Sequence, residues 1–146
     1  SRDRTNAVHI DTVRSDLANP YLPDVGSVSP LLRSAIGRAL LLAHTAASRT
    51  KILNQLKIYD AFQYSECLEF LAPDEELLRT KGYCRARGPW LSDIDAIAVP
   101  IPIGQGHEPL AINCTISLKG QSGFNLDAFA PMAISAARKI QKLLRD

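Results

Sequence analysis

Asn113 and Thr115 stand two apart within the run Pro109 to Leu118, so in a strand both side chains leave by one face. Polar groups on a face turned toward a core need partners, and a bound polar ligand or water supplies them. A second chemistry lies in the run Val25-Gly26-Ser27 to Leu41. There a glycine-containing loop, a serine, a proline and a small-residue first turn open an apolar helix. The N–H groups at such a start are unpaired and can hold a small anion. The thiols of Cys67, Cys84 and Cys114 are a third resource. If Cys84 and Cys114 meet across neighbouring strands a redox activity is conceivable, although buried strand cysteines behave as small apolar residues unless a nearby cation lowers their pKa. Their odd number, without CxxC spacing, argues against a disulfide framework or a structural zinc site. His9, His44 and His107 form no HxxxH or HExxH pattern, so neither a metal nor a cofactor is assigned. With no Gly-x-Ser-x-Gly elbow, phosphate loop or Ser/His/Asp set at recognisable spacing, the expectation is a binding domain and not an enzyme.

The elements that must position these groups follow from periodicity. Alternation over Ala7 to Val13 predicts a half-buried strand, and Asn19 to Asp24 a proline-bounded loop. Ser29 is expected to cap a helix that begins at Pro30 and buries Leu32, Ala35, Ile36, Ala39, Leu40 and Ala43. A second helix covers Ser48 to Ile58 with Ile52, Leu53 and Leu56 inward. The third starts near Pro73, carries Asp74, Glu75 and Glu76 in its first turn to suit the dipole, and stops at Lys81-Gly82. Two longer strands, Asp95 to Ile103 and Pro109 to Leu118, flank Gly104 to Glu108 as an antiparallel hairpin. Pro100 and Pro102 argue for an edge or a bulge at that end of the first strand. A last helix runs from about Leu126 to Leu144, with Arg138, Lys139, Lys142 and Arg145 near its C-terminus. Phe62, Tyr64 and Phe70 fall in a stretch of weak periodicity and receive no assignment.

At 146 residues the chain fits one domain, 1–146, with a core that needs no staple. Apolar residues at 46% and charged residues at 22% exclude a mostly disordered chain. The net charge of +2 comes from 17 Lys and Arg spread without a cluster, which gives no reason to assign this piece a nucleic-acid surface. No run reaches the ~18 to 20 apolar residues of a membrane span, and no signal peptide opens the chain, so a reducing, cytoplasmic setting is expected. The simplest architecture is α+β, an antiparallel sheet with helices packed on it.

Taken in order, Val25-Gly26-Ser27, Pro30-Leu31, Ala35 to Leu41, Lys81-Gly82-Tyr83, Ile97 to Ile101 and Ala111 to Thr115 resemble the effector-binding domain of IclR-type transcriptional regulators. The match extends from about Val8 to Leu144, and no single motif carries it. It implies a GAF-like sensing domain that forms dimers or tetramers and that is preceded, in the family, by a DNA-binding winged helix-turn-helix. It also implies that the chain is a fragment: a first helix and strand of the sensing domain are expected to precede Arg2 to Asn6. DNA would then be a partner only through the missing module, and no membrane partner is expected.

The resemblance puts an effector pocket between the sheet and the loop-helix junction. Carried over by position, its lining comprises Tyr21, Ser34, Ala35, Ile36, Ala86, Ala96, Asn113 and Thr115. Relatives often have acidic residues after the Gly-Tyr pair, whereas this chain has Arg85-Ala86-Arg87-Gly88-Pro89-Trp90, and Ala35-Ile36 replaces a smaller pair. These departures favour an aromatic carboxylate over a two- or three-carbon oxo acid, with Trp90 beside the ring and Arg87 or the helix start on the charge. Plainer roles stand beside these. Trp90 could plug a core or interface, Arg87 could be a solvated charge, and Tyr21 could cover the sheet's open end. Ser34 could bond its own turn, and Asn113 and Thr115 could bond local backbone. A thiol-dependent reductase and a ligand-free dimerisation module are the alternative functions.

Overall fold

The computed structural model describes residues 1–14, 23–87, 93–104, 106–119 and 125–144, with Arg87 described for its backbone alone. Two three-stranded antiparallel sheets carry the chain. The first orders β1 (Arg2–Asp3), β2 (Asn6–Val8) and β3 (Val28–Pro30), with Ala7 opposite Ser29. Its strands are shorter than the alternation over Ala7 to Val13 predicts. Beyond Val8 the His9 backbone stays paired, donating to the Ser27 carbonyl at 3.0 Å and accepting from the Gly26 N–H at 2.8 Å. Past it, Ile10 and Val13 are exposed.

Ser29 is therefore a strand residue, and the helix it was expected to cap begins five residues later. A turn over Leu31 to Arg33 leads to α1 (Ala35–Ala43), whose cap is Ser34. Its hydroxyl accepts from the Gly37 N–H at 3.1 Å and donates to the Pro30 carbonyl at 2.6 Å. The apolar stripe itself is as expected, with Ala35, Ile36, Ala39 and Leu40 buried.

Helix α2 (Ala46–Tyr59) follows, and Asp60 both ends it and caps α3 (Ala61–Cys67), the element without a periodic signature. A short 3-10 turn, Leu68–Phe70, leads into α4 (Leu71–Lys81), which Gly82 closes in the left-handed conformation at φ +87°. The second sheet orders β4 (Cys84–Arg87), β5 (Ile94–Ile101) and β6 (Leu110–Ser117), and places β5 in the middle. Pro100 is thus not on an edge strand. It is tolerated because β4 pairs only with Asp95 to Ala98, so the side of β5 facing away from β6 carries no ladder at Pro100. After a 3-10 turn at Leu126–Phe129 the chain ends in α5 (Ala130–Leu143).

The two faces of the second sheet are unlike. Cys84, Ala86, Ala96 and Ala98 meet Ala35, Ile36, Ala39 and Leu40 of α1, small residues on both sides that let helix and sheet approach closely. Ile97, Val99 and Ile101 meet Leu126, Ala130, Ala133 and Ala137 on the α5 side. A third cluster of Leu31, Leu32, Leu41, Ile52, Leu56, Cys67 and Leu71 seals the outer side of α1.

Within this packing lies one buried cation. Arg38, 2% exposed, donates from Nε to Asp74 Oδ2 at 2.5 Å, from Nη1 to the Leu32 carbonyl at 2.5 Å and from Nη2 to the Arg85 carbonyl at 2.8 Å. Asp74 Oδ1 accepts the Arg85 N–H at 2.9 Å. A buried charge is tolerated when it is paired and its remaining donors are satisfied, and these bonds tie α1, α4 and β4 together.

Candidate functional site

A cleft of about 920 Å³ lies between the Val8–Arg14 segment, the start of α1 and the outer edge of β6. Its position follows from the sheet order. Among the described residues β6 is paired with β5 alone, so its other edge opens on the cleft and all eight of its residues are half-buried. Ile36 from α1 and Asn113 and Thr115 from β6 share the lining.

The antiparallel register explains that convergence. Thr115 lies opposite Ala96, and Ala96 opposite Ala86, which makes one row across three strands. Asn113 lies opposite Ala98, and Ala98 opposite Cys84, in the next row of the same face. Ala35, Ala86 and Ala96 are at most 8% exposed and form the alanine layer between α1 and the sheet. Asn113 Nδ2 donates to Thr115 Oγ1 at 2.7 Å, so the two polar groups partly satisfy each other. The amide oxygen, the second amide N–H and the hydroxyl proton remain, an acceptor and two donors. Ser34 spends its hydroxyl on the cap described above. The backbone of Arg87 stands opposite Asp95; Tyr21 and Trp90, like the Arg87 side chain, lie outside the described residues.

His9, which the sequence reading left without a role, also lines the cleft, buried to 6% exposure with Nε2 3.1 Å from Ser29 Oγ. Burial lowers its pKa from the ordinary histidine range. The apolar alternation of Val8 and Ile10 points the other way: His9 is buried like Ala7, while Ile10 is exposed. On the same wall Arg14 forms an ion pair with Asp24, and that hydrogen bond, with the Val25 N–H, keeps the Asp24 carboxyl below its usual range.

Two further polar groups lie away from the cleft. Arg85 donates to Asp95 at 2.9 and 2.6 Å and also pairs with Asp127, which accepts the Tyr83 hydroxyl at 2.8 Å. This joins β4 and β5 to the turn before α5. His44 Nε2 is 3.3 Å from Glu108 but has no aligned hydrogen bond, and burial lowers its pKa.

Cys84 and Cys114, whose contact across strands a redox activity would require, do not meet. Their strands lie on opposite sides of β5, and Cys84 faces α1 while Cys114 packs toward α5. Burial raises both thiol pKa values, which disfavours the thiolate a reductase would need. Among the described residues no three His, Cys, Asp or Glu groups could hold a metal ion, and no helix is long and apolar enough to cross a membrane.

Residues 1–142 match the family described as bacterial transcriptional regulator IclR, C-terminal, and the chain belongs to that family. Solved structures agree in fold. An IclR family transcriptional regulator from Brucella abortus is 24% identical with a TM-score of 0.79; the match covers 98% of this chain and 54% of that one. The IclR of Thermotoga maritima gives 18% identity and a TM-score of 0.75, covering 99% of this chain and 59% of that one. The inducer-binding domain of PobR from Acinetobacter, a double mutant solved with 3-hydroxybenzoic acid, gives 20% identity and a TM-score of 0.65, covering 99% and 84%. No curated protein matches the chain. The chain thus spans little more than half the length of the Brucella and Thermotoga proteins.

Proposed function

We propose that this domain senses a small organic acid, an aromatic carboxylate by preference, and that the acid modulates DNA binding by the full-length regulator through a module outside this chain. The observation that carries the reading is the shared lining of one cleft by Ile36 and by Asn113 and Thr115, which stand 77 or more positions beyond it in sequence. Apolar walls suit a ring, and the Asn113–Thr115 pair offers an acceptor and two donors for its polar substituents. Support from a relative comes from the PobR domain, whose structure was solved with 3-hydroxybenzoic acid. Tyr21, Arg87 and Trp90 belong to the proposed lining as well, and Ser34, Ala35, Ala86 and Ala96 set its shape from behind.

Regulation by such a site is linkage. An effector that prefers one arrangement of the domain, or of its contacts in a dimer or tetramer, shifts the population toward it, and the attached DNA-binding module follows. Calorimetric titration with hydroxybenzoates, phenylpropionates, pyruvate and glyoxylate checks the reading. Saturable binding of aromatic acids is expected; binding confined to the oxo acids removes the aromatic preference, and no binding with no rise in melting temperature leaves a dimerisation module.

A further inference from the structure

Phe62, to which periodicity gives no role, marks a second surface. Ile58, Tyr59 and Phe62 fall within five consecutive positions and are 78%, 79% and 65% exposed. Single exposed apolar side chains are ordinary on a protein, but three gathered at one corner, where α2 ends and α3 begins, make a patch that needs a cover. None of them lines the cleft. The corner is held firmly from inside. Asp60 accepts the Gln63 N–H at 3.0 Å, Gln63 Oε1 accepts the Leu32 N–H at 2.8 Å, and Cys67 belongs to the buried cluster outside α1. The apolar groups are thus carried on fixed backbone, so docking on them costs little conformational freedom.

The charges around the patch indicate what covers it. Lys51 stands seven residues before Ile58 on the same face of α2, and Glu66 stands four residues after Phe62 on the same face of α3. Lys57 in α2 and Glu69 just past α3 repeat these signs, so one flank is basic and the other acidic. Lys51 and Glu66 are exposed, and neither has an ion-pair partner among the described residues. The helical rise puts Lys51 about 10 Å from Ile58 and Glu66 about 6 Å from Phe62, a difference that the long lysine stem takes up. An apolar centre with one basic and one acidic flank is complementary to itself about a twofold axis. The rotation lays α2 of one copy across α3 of the other, sets apolar against apolar, and brings Lys51 to the partner's Glu66. At their exposures Ile58, Tyr59 and Phe62 offer about 400 Å² per copy, against the ~800 Å² that each side of a stable interface buries, and that half-apolar balance belongs to reversible association.

We propose that the α2–α3 corner is a contact between copies of this chain, an isologous interface with Phe62 at its centre and two Lys51–Glu66 ion pairs at its rim. The face is separate from the acid site, so the inference stands whether or not an acid binds. Sedimentation equilibrium of the chain, from micromolar to submillimolar concentration, tests it. A reversible dimer that weakens with added salt is expected. Lys51→Glu and Glu66→Lys should each weaken it by about tenfold or more, because like charges then meet twice. An equimolar mixture of the two variants should recover the parent affinity, as should the chain carrying both exchanges, since every pair is again of opposite sign. Phe62→Ser should also weaken association, by removing the centre. Circular dichroism should show an unchanged fold in each variant, the three side chains being exposed; should Phe62→Ser unfold, the charge exchanges decide. A chain that stays monomeric throughout, as it would if a different protein or another domain covers the corner, overturns the proposal. So does a dimer that the exchanges leave unaltered, which would use another face, or one that neither the mixture nor the double exchange restores.

Discussion

Thr115 contributes a hydroxyl at a half-buried place where valine would have the same shape. Thr115→Val leaves the strand intact but takes from Asn113 Nδ2 its acceptor at 2.7 Å and from the cleft a donor. Losing such a bond costs about 1–3 kcal/mol when the partner stays desolvated, so acid affinity should fall roughly tenfold while stability changes by less than about 1 kcal/mol. Paired calorimetry and urea unfolding separate the two effects. Equal affinity in variant and parent would mean the pair serves the sheet and not a ligand. Arg38 poses the opposite case, a polar residue wholly inside. Arg38→Met strands the Asp74 carboxylate, 4% exposed, and should cost about 3–5 kcal/mol, whereas adding Asp74→Leu should recover part of that loss despite the orphaned Arg85 N–H. Urea midpoints of the single and double variants measure this, and additive losses would argue against the coupling. Spacing of two made Asn113 and Thr115 legible beforehand. Nothing local announced the Arg38–Asp74 bond, whose partners stand 36 residues apart on different helices, and the acidic first turn of α4 was read only as a dipole effect.

Elements with strong periods were readable, and the failures share a physical cause. The α1 stripe and the β5–β6 hairpin stand as the alternation predicted. Helix α3 was missed because it buries only Gln63 and Cys67 and leaves Phe62 at 65% exposure, so no apolar stripe reports it. Its fold depends on polar bonds instead: Asp60 accepts the Gln63 N–H, and Gln63 Oε1 accepts the Leu32 N–H at 2.8 Å. The helix start was misplaced by five residues because Ser29 and Ser34 both satisfy cap chemistry, and only the β2 partner of Ser29 decides between them. Gly37 shows how tightly that start is packed. A Cβ there would lie 2.3 Å from the Leu31 carbonyl oxygen and 2.4 Å from its Cα, backbone atoms that cannot swing aside. Alanine is the better helix former by about 1 kcal/mol, yet overpacking of this severity costs about 1–3 kcal/mol or more, so Gly37→Ala should lower the melting temperature. Because Leu31 leads into α1, the same change should displace Ile36 and weaken acid binding. A variant that melts higher than the parent would show that the turn can yield.

Proton linkage joins the cleft to the stability of the whole molecule. His9 and His44 both have pKa values lowered chiefly by burial, with Glu108 opposing and Arg2 reinforcing the shift at His44. A histidine held neutral in the fold binds its proton more readily when unfolded, so stability is lost as pH falls below about 6.5, the unfolded value. Carboxylates lowered by their partners, Asp60, Glu76 and Asp127 among them, keep their stabilisation until the pH drops below about 4. Melting temperature should therefore decline in two stages, the first between about pH 7 and 5 from the histidines and the second in stronger acid. His44→Gln should reduce the first stage without touching acid binding, since His44 stands at the far end of α1 beside Glu108. His9→Gln should reduce it as well. Calorimetric melting of the two variants across pH separates their shares: a first stage unaltered in both would place the titrating groups elsewhere.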